Sequence, residues 1–120
     1  PEKGVIAMEN MIKVQEFCLD NLKPGADAKE LYENAFKYFK QIAKGRCTII
    51  GHSIGLETEE THIIGPGHIF GGQIKENMVL DVEAWQIVRG QGLVGIEDCY
   101  RITRSGCERL SSLDKDIFYK

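Results

Sequence analysis

The chain has 120 residues, of which 42% are hydrophobic and 28% are charged, an ordinary composition for a globular domain. Its net charge of -3 argues against a protein that follows nucleic-acid phosphates, which would carry clustered lysine and arginine. The longest apolar run falls far short of the roughly 20 residues that a membrane span needs. We therefore expect one domain, or part of one, that binds neither nucleic acid nor membrane.

Four cysteines are spread along the chain, at positions 18, 47, 99 and 107. They form no CxxC pair, and no histidine stands at zinc-finger spacing from them. We expect reduced, mostly buried thiols in a cytoplasmic protein, with a disulfide as the alternative.

Two helical patterns open the chain. From about Lys3 to Leu22, apolar residues recur at the period of an amphipathic helix. Pro24-Gly25 ends this helix, because proline cannot continue the hydrogen-bond ladder and glycine accepts the turn. Asp27 is the expected N-cap of a second helix, with Glu30 three residues later as in a capping box. The apolar stripe of this second helix continues to Gly45.

Strand patterns, separated by glycine-rich turns, occupy much of the remaining chain. The predicted strands are Cys47–Ile50, Met78–Ile87, Leu93–Ile102 and Cys107–Leu110. In the second strand, Asp81 and Glu83 share one face and Leu80 and Val82 the other, because successive side chains alternate. Two helices followed by an antiparallel sheet form an α+β fold.

Three residues are candidates for a divalent-metal site, namely His52, Glu83 and Glu97. One imidazole and two carboxylates are donors that such sites use. Asp81 precedes Glu83 by two residues and lies about 7 Å from it on the same strand face. This pair suits a cation or a cationic substrate. Taken singly, each residue is more often structural or solvated, so the hypothesis depends on the combination.

The segments around these residues resemble the GHGIG, MVxxxE and IED motifs of the M24 pita-bread family. That family includes methionine aminopeptidases, aminopeptidase P, prolidase and creatinase. The matching segments are Gly51-His52-Ser53-Ile54-Gly55, Met78–Glu83 and Ile96-Glu97-Asp98. With the preceding helices, the resemblance covers nearly all of the chain. It implies the C-terminal half of a pita-bread catalytic domain, with two helices packed on a curved antiparallel sheet.

The resemblance also implies a ligand set. His52, Glu83 and Glu97 match three of the family's five metal ligands, and the other two, both aspartates, are expected in a segment ahead of Pro1. The family holds two divalent ions, commonly Mn, Co, Zn or Fe, which polarise a scissile carbonyl and generate a bridging hydroxide. A metal-dependent hydrolase of short peptides or small molecules follows, similar to Xaa-Pro dipeptidase or aminopeptidase.

The expected incompleteness of the site has two consequences. Residues 1–120 alone are expected to be inactive, because the two aspartates that complete the dinuclear site lie elsewhere. An exposed sheet edge and face should also drive association, either with another copy of the chain or with the missing N-terminal half.

Several positions depart from the family pattern. Glu59 replaces a substrate-contacting histidine, Gly95 replaces an arginine, and Ala84-Trp85 replaces Pro-Gly. Asp81 stands where threonine is typical. Glu59 and Asp81 suggest an acidic pocket in which Glu59 acts as a general base, with a solvated acidic loop as the alternative. His62 is a weaker candidate for substrate contact.

Trp85 is expected to point away from the carboxylates, into the core or an interface. Two alternatives to the peptidase also stay open. One is a creatinase-like C–N hydrolase or lyase that acts without metal on a small cationic substrate. The other is an inactive pita-bread binding module. The peptidase predicts bound metal and cleavage of Xaa-Pro dipeptides. The creatinase-like enzyme predicts activity that is insensitive to a chelator, and the binding module predicts neither.

Overall fold

The computed structural model describes residues 2–56, 64–65 and 72–116. Its first elements are helix α1 (Glu2–Asn21) and helix α2 (Ala28–Ile42), which confirm the two predicted helices. Each buries an apolar stripe at helical spacing. The stripes comprise Ala7, Met11, Val14 and Cys18 on α1 and Ala28, Leu31, Ala35 and Phe39 on α2. Within the described ranges, no helix is long and apolar enough to cross a membrane.

The turn between the helices follows the predicted chemistry. Gly25 has a φ of 87°, in the left-handed region that glycine adopts readily. Its N–H donates to the carbonyl of Ile74 at 2.8 Å. Asp27 caps α2, since its Oδ1 accepts a hydrogen bond from the Glu30 N–H at 3.0 Å. The turn is therefore held by its own residues and by the segment that leads into the sheet.

The sheet contains the strands β1 (Arg46–Ser53), β2 (Val79–Val88), β3 (Gly92–Ile102) and β4 (Cys107–Arg109). In the part of the chain that the structure describes, they form one sheet in chain order, and every neighbouring pair is antiparallel. β1 continues past the predicted end at Ile50 as far as Ser53. His52 consequently lies within a strand, so its position is fixed by the ladder.

Both helices pack on one face of the sheet. Burial alternates along β2, where Leu80, Val82 and Ala84 are fully buried. Gln15 of α1 is also fully buried, and its Nε2 donates to the Val82 carbonyl at 2.7 Å. The alternate residues of β2, including Asp81, are partly buried or exposed and form the opposite face. Of the candidate site residues, His52, Asp81, Glu83 and Glu97 belong to that opposite face.

A polar network fixes the segment after β4 on the helix side of the sheet. The Asp98 side chain of β3 is 8% exposed, and its Oδ1 accepts hydrogen bonds from Arg109 and Ser111. Lys115 Nζ donates to Gln15 Oε1 at 2.6 Å and lies 4.0 Å from Asp98 Oδ2. Burial lowers the pKa of Lys115, and the charge of Asp98 opposes that change. This network supports β3 directly behind Glu97.

Candidate metal centre

His52 is held near the end of β1 with 6% of its surface exposed. Gly51 pairs with Ile64 through two backbone hydrogen bonds. A Cβ on Gly51 would lie 2.7 Å from Ile64 Cδ1, so glycine permits this close packing. The imidazole Nδ1 is buried without a hydrogen-bond partner among the described residues. A buried polar atom without a partner is costly; this cost falls on Nδ1, whereas Nε2 is the ring nitrogen that lies near Glu97.

Asp81 lies directly opposite His52 in the β1–β2 register. Directly opposed residues place their side chains on the same face of the sheet. On its other side, Asp81 is opposite Cys99 of β3. Burial raises the pKa of the Cys99 thiol, and the nearby Asp81 charge and hydrogen bond raise it further. The structure therefore places Asp81, which the sequence assigned to substrate contact, beside the imidazole.

Glu97 approaches His52 from β3. Its Oε1 lies 3.9 Å from His52 Nε2, which is longer than a hydrogen bond. The Glu97 side chain is 53% exposed and that of His52 only 8%, so the site opens to solvent on the Glu97 side. Glu83 is directly opposite Glu97 in the β2–β3 register. The register therefore sets two carboxylates side by side on this face of the sheet.

Three of these residues converge. His52, Asp81 and Glu97 each offer a ligand atom, and the three atoms lie within 4.8 Å of one another. Ligand atoms about 2.0–2.2 Å from one ion are at most about 4.4 Å apart, so small side-chain adjustments close this set around a cation. Imidazole nitrogen and carboxylate oxygen suit borderline divalent ions such as Zn, Mn, Co and Fe. The chemistry of these donors and their convergence fit a divalent metal.

Trp85 lies on the same face as Asp81 and Glu83, and the prediction that it points the opposite way is wrong. Positions 81, 83 and 85 are two residues apart, so strand alternation places them on one side of the sheet. Trp85 is opposite Gly95 and lines a cavity of about 180 Å³ together with Glu83 and Glu97. The indole is therefore a neighbour of the candidate metal centre.

Glu59 and His62 lie outside the described residues, as does His68. Their proposed roles as general base and substrate contact therefore stay predictions. Sequence reasoning missed the Asp98 network behind Glu97 and the position of Trp85. Counting the alternation from Glu83 to Trp85 would have located the indole. The contacts of Asp98 have no comparable sequence signal, because they depend on the path of the chain after β4.

The chain is thus an α+β domain whose antiparallel sheet, backed by two helices, carries a candidate histidine–carboxylate metal site. The profile of metallopeptidase family M24 matches residues 2–104 of the chain. The chain therefore belongs to metallopeptidase family M24.

Known proteins similar to this chain agree with that family. It is 32% identical to the Xaa-Pro dipeptidase of Pyrococcus furiosus over 97% of its own length and 33% of that protein. The prolidase from Pyrococcus horikoshii OT3 gives a TM-score of 0.86 at 27% identity, covering 98% of this chain and 34% of the other. The X-Pro aminopeptidase from Thermotoga maritima MSB8 gives 0.83 at 28% identity, covering 93% and 32% respectively.

The two solved structures have the pita-bread fold, so the predicted α+β fold is confirmed. The chain spans about one third of the length of these relatives.

Proposed function

We propose that this chain carries metal-binding strands of a metal-dependent hydrolase that cleaves Xaa-Pro peptides. The observation that carries the proposal is the convergence of His52, Asp81 and Glu97, whose ligand atoms lie within 4.8 Å of one another. Membership of family M24 and the similarity to an Xaa-Pro dipeptidase support the hydrolase class.

In this proposal, His52, Asp81 and Glu97 hold one divalent ion. The proposed ion is manganese, with Co, Zn and Fe as alternatives. Such an ion supplies Lewis-acid polarisation of a carbonyl and an activated water. Glu83, which the sequence predicts as a metal ligand, lies opposite Glu97 and is proposed as a ligand of a second ion; its charge also attracts the ammonium group of a short peptide. A second ion needs donors beyond this cluster.

We further propose that the pocket is unusually acidic. Asp81 adds a carboxylate beside His52, and this position in the register supports the proposal. Glu59 is proposed as the general base, on the sequence alone, since a carboxylate at working pH can accept a proton from a reacting group. Replacing Glu59 with Gln should lower kcat while leaving metal affinity unchanged. An unaltered kcat would remove Glu59 from the reaction.

Association and compartment are also proposed. Leu110 and Leu113, on one short segment, expose 52% and 76% of their surface, which supports contact with a second copy or with the remainder of a longer polypeptide. A light-scattering mass of 13.5 kDa, that of one chain, would contradict association. The four free thiols support a reducing, cytoplasmic location.

The test combines metal binding with hydrolysis. Calorimetry of the metal-stripped protein measures the binding of Mn²⁺, Co²⁺ and Zn²⁺. Cleavage of the dipeptide Leu-Pro is assayed with the native polypeptide purified from its source organism. We expect hydrolysis that EDTA abolishes and Mn²⁺ restores. Cleavage insensitive to EDTA would instead support the metal-free creatinase-like alternative. Absence of both metal binding and hydrolysis would support the binding module.

A further inference from the structure

The outward face of β2 changes its chemistry along the strand. Asp81 and Glu83 are followed on this face by Trp85 and then Ile87. Successive residues on one strand face lie about 7 Å apart. Across the ladder, Ile87 is opposite Leu93, and these two side chains are 50% and 65% exposed. On this face of the strand, the carboxylate of Glu83 is therefore followed directly by the apolar side chains of Trp85 and Ile87.

Trp85 and Gly95 are sterically matched. A Cβ on Gly95 would lie 2.6 Å from the Cβ of Trp85 and 2.8 Å from the carbonyl oxygen of Ala84. Any side chain at position 95 would therefore push β2 and β3 apart. The absence of a side chain on β3 thus permits the close approach of β2 beside Trp85.

A cavity of about 180 Å³ lies at this pair. It is lined by Glu83, Trp85, Leu93, Gly95, Ile96 and Glu97. In the register, the opposed carboxylates Glu83 and Glu97 adjoin the opposed pair Trp85 and Gly95, and Leu93 follows one step further along this face of β3. The complementary ligand has a positive group and a bulky apolar group a few ångströms apart.

We propose that Trp85 forms the wall of a pocket for a bulky apolar N-terminal residue of a peptide, whose ammonium group faces Glu83 and Glu97. The proposal rests on the proposed function and names the substrate class of that site. The free ammonium and the side chain of one N-terminal residue reach both surfaces together. An N-terminal glycine leaves the indole without a contact, and an acidic side chain brings like charge toward the carboxylates.

This preference has a measurable size. Each methylene placed against an apolar wall changes kcat/KM by a factor of about 10–200. We therefore expect Leu-Pro to exceed Gly-Pro in kcat/KM by at least roughly 10-fold.

A binding experiment tests the pocket without any turnover. Trp85 is the single tryptophan of the sequence, so its emission reports on this pocket directly. The metal-stripped protein is titrated with L-leucinol, which has an amine and an apolar side chain, and with ethanolamine, which lacks the side chain. We expect leucinol to change the emission at concentrations at least roughly 10-fold lower than ethanolamine. Equal concentrations, or no response to leucinol, would overturn the proposal.

Substitutions test the same wall during turnover. We expect Trp85→Ala to lower the Leu-Pro to Gly-Pro ratio of kcat/KM by roughly 10-fold, and Trp85→Phe to keep most of it. Ile6→Ala is the matched control, because Ile6 is 50% exposed on α1, away from the site. An unchanged ratio in Trp85→Ala would refute the wall. Trp85→Phe and the titration decide the matter if Trp85→Ala fails to fold.

The two proposals fail in different ways. A leucinol-dependent change of Trp85 emission without hydrolysis of any dipeptide supports the pocket and overturns the hydrolase. EDTA-sensitive hydrolysis with the same ratio in Trp85→Ala and wild type supports the hydrolase and overturns the pocket.

Discussion

His52 and Glu97 approach to 3.9 Å although they belong to β1 and β3, with the whole of β2 between them. The two side chains meet above β2, where Asp81 lies opposite His52. Backbone pairing thus brings an imidazole and two carboxylates from three strands to one point, which is a candidate cation site. The pairing register of β1, β2 and β3 therefore determines which side chains meet at the candidate metal centre.

Asp81 is the ligand candidate that the register adds. Replacing it with threonine, the residue typical of the family, removes a carboxylate while keeping a β-branched strand residue. We expect the affinity for Co²⁺ to fall by more than roughly 10-fold. The loss of a residue that only hydrogen-bonds to a metal ligand already costs about 10-fold or more, and the loss of a ligand should cost at least as much. The visible absorption of bound Co²⁺ measures this affinity.

Glu9→Gln on α1 is the control for this change, since Glu9 is exposed and distant in the fold. It should leave the Co²⁺ titration unaltered. If Asp81→Thr also leaves the titration unaltered, Asp81 is not a ligand.

Gln15 connects α1 with β2 and with the segment after β4. Gln15→Met keeps the approximate shape but leaves the Val82 carbonyl and the Lys115 ammonium without this partner. We expect a loss of about 1–3 kcal/mol in the free energy of unfolding, the cost of an unsatisfied buried group. Urea denaturation measures it, with the exposed Gln41→Met as a control that changes stability by less than about 0.5 kcal/mol. Equal stabilities of the two variants would show that the buried amide is dispensable.

Gly95 is predicted to tolerate no side chain. Gly95→Ala places a Cβ against Trp85 and the Ala84 carbonyl, and we expect about 1–3 kcal/mol of destabilisation from overpacking. Gly106→Ala is the matched control, because nothing lies within 4 Å of its Cβ position. Thermal unfolding compares the two variants. A Gly95→Ala protein as stable as Gly106→Ala would mean that the strands separate without cost.

Two thiols predict a pH dependence of stability. Burial raises the pKa of Cys47 from 9.0 to about 12, and burial with the nearby Cys107 does the same for Cys18. The folded state then holds these protons more tightly than the unfolded state. Their contribution to stability is complete below pH 9.0 and is lost as pH rises toward 12.

Urea denaturation at about pH 8 and about pH 10.5 tests this window. We expect wild type to lose more stability between these values than a Cys18→Ala/Cys47→Ala variant, because the variant lacks both titrating groups. The comparison cancels the other groups that titrate in the same range. Equal losses in both proteins would remove these thiols from the pH dependence.

Much of the fold was predictable because it depends on local chemistry. Pro24-Gly25 ends α1, and Asp27 with Glu30 starts α2, as the capping pattern predicts. Apolar periodicity then assigned the buried face of each helix and of β2. The expectation that most thiols are buried was wrong, since only Cys18 is fully buried.

The site was less predictable because it depends on long-range pairing. No sequence pattern states that His52 is opposite Asp81, and this register makes Asp81 a ligand candidate. β1 also extends beyond the predicted strand, which ended at Ile50, because its pairing with β2 continues through His52 as far as Ser53. The prediction that Trp85 faces away from the carboxylates was wrong because Glu83 and Trp85 are two residues apart on one strand and therefore share a face.

Mn²⁺ binding by calorimetry, compared between wild type and Glu97→Gln, tests the proposed metal centre most directly. The proposal predicts binding by wild type and by Glu9→Gln with equal affinity. It predicts an affinity for Glu97→Gln that is lower by more than roughly 10-fold, since a neutral amide replaces a ligating carboxylate. Wild type that binds no Mn²⁺, or a Glu97→Gln protein that binds it equally well, would contradict a metal centre at His52, Asp81 and Glu97.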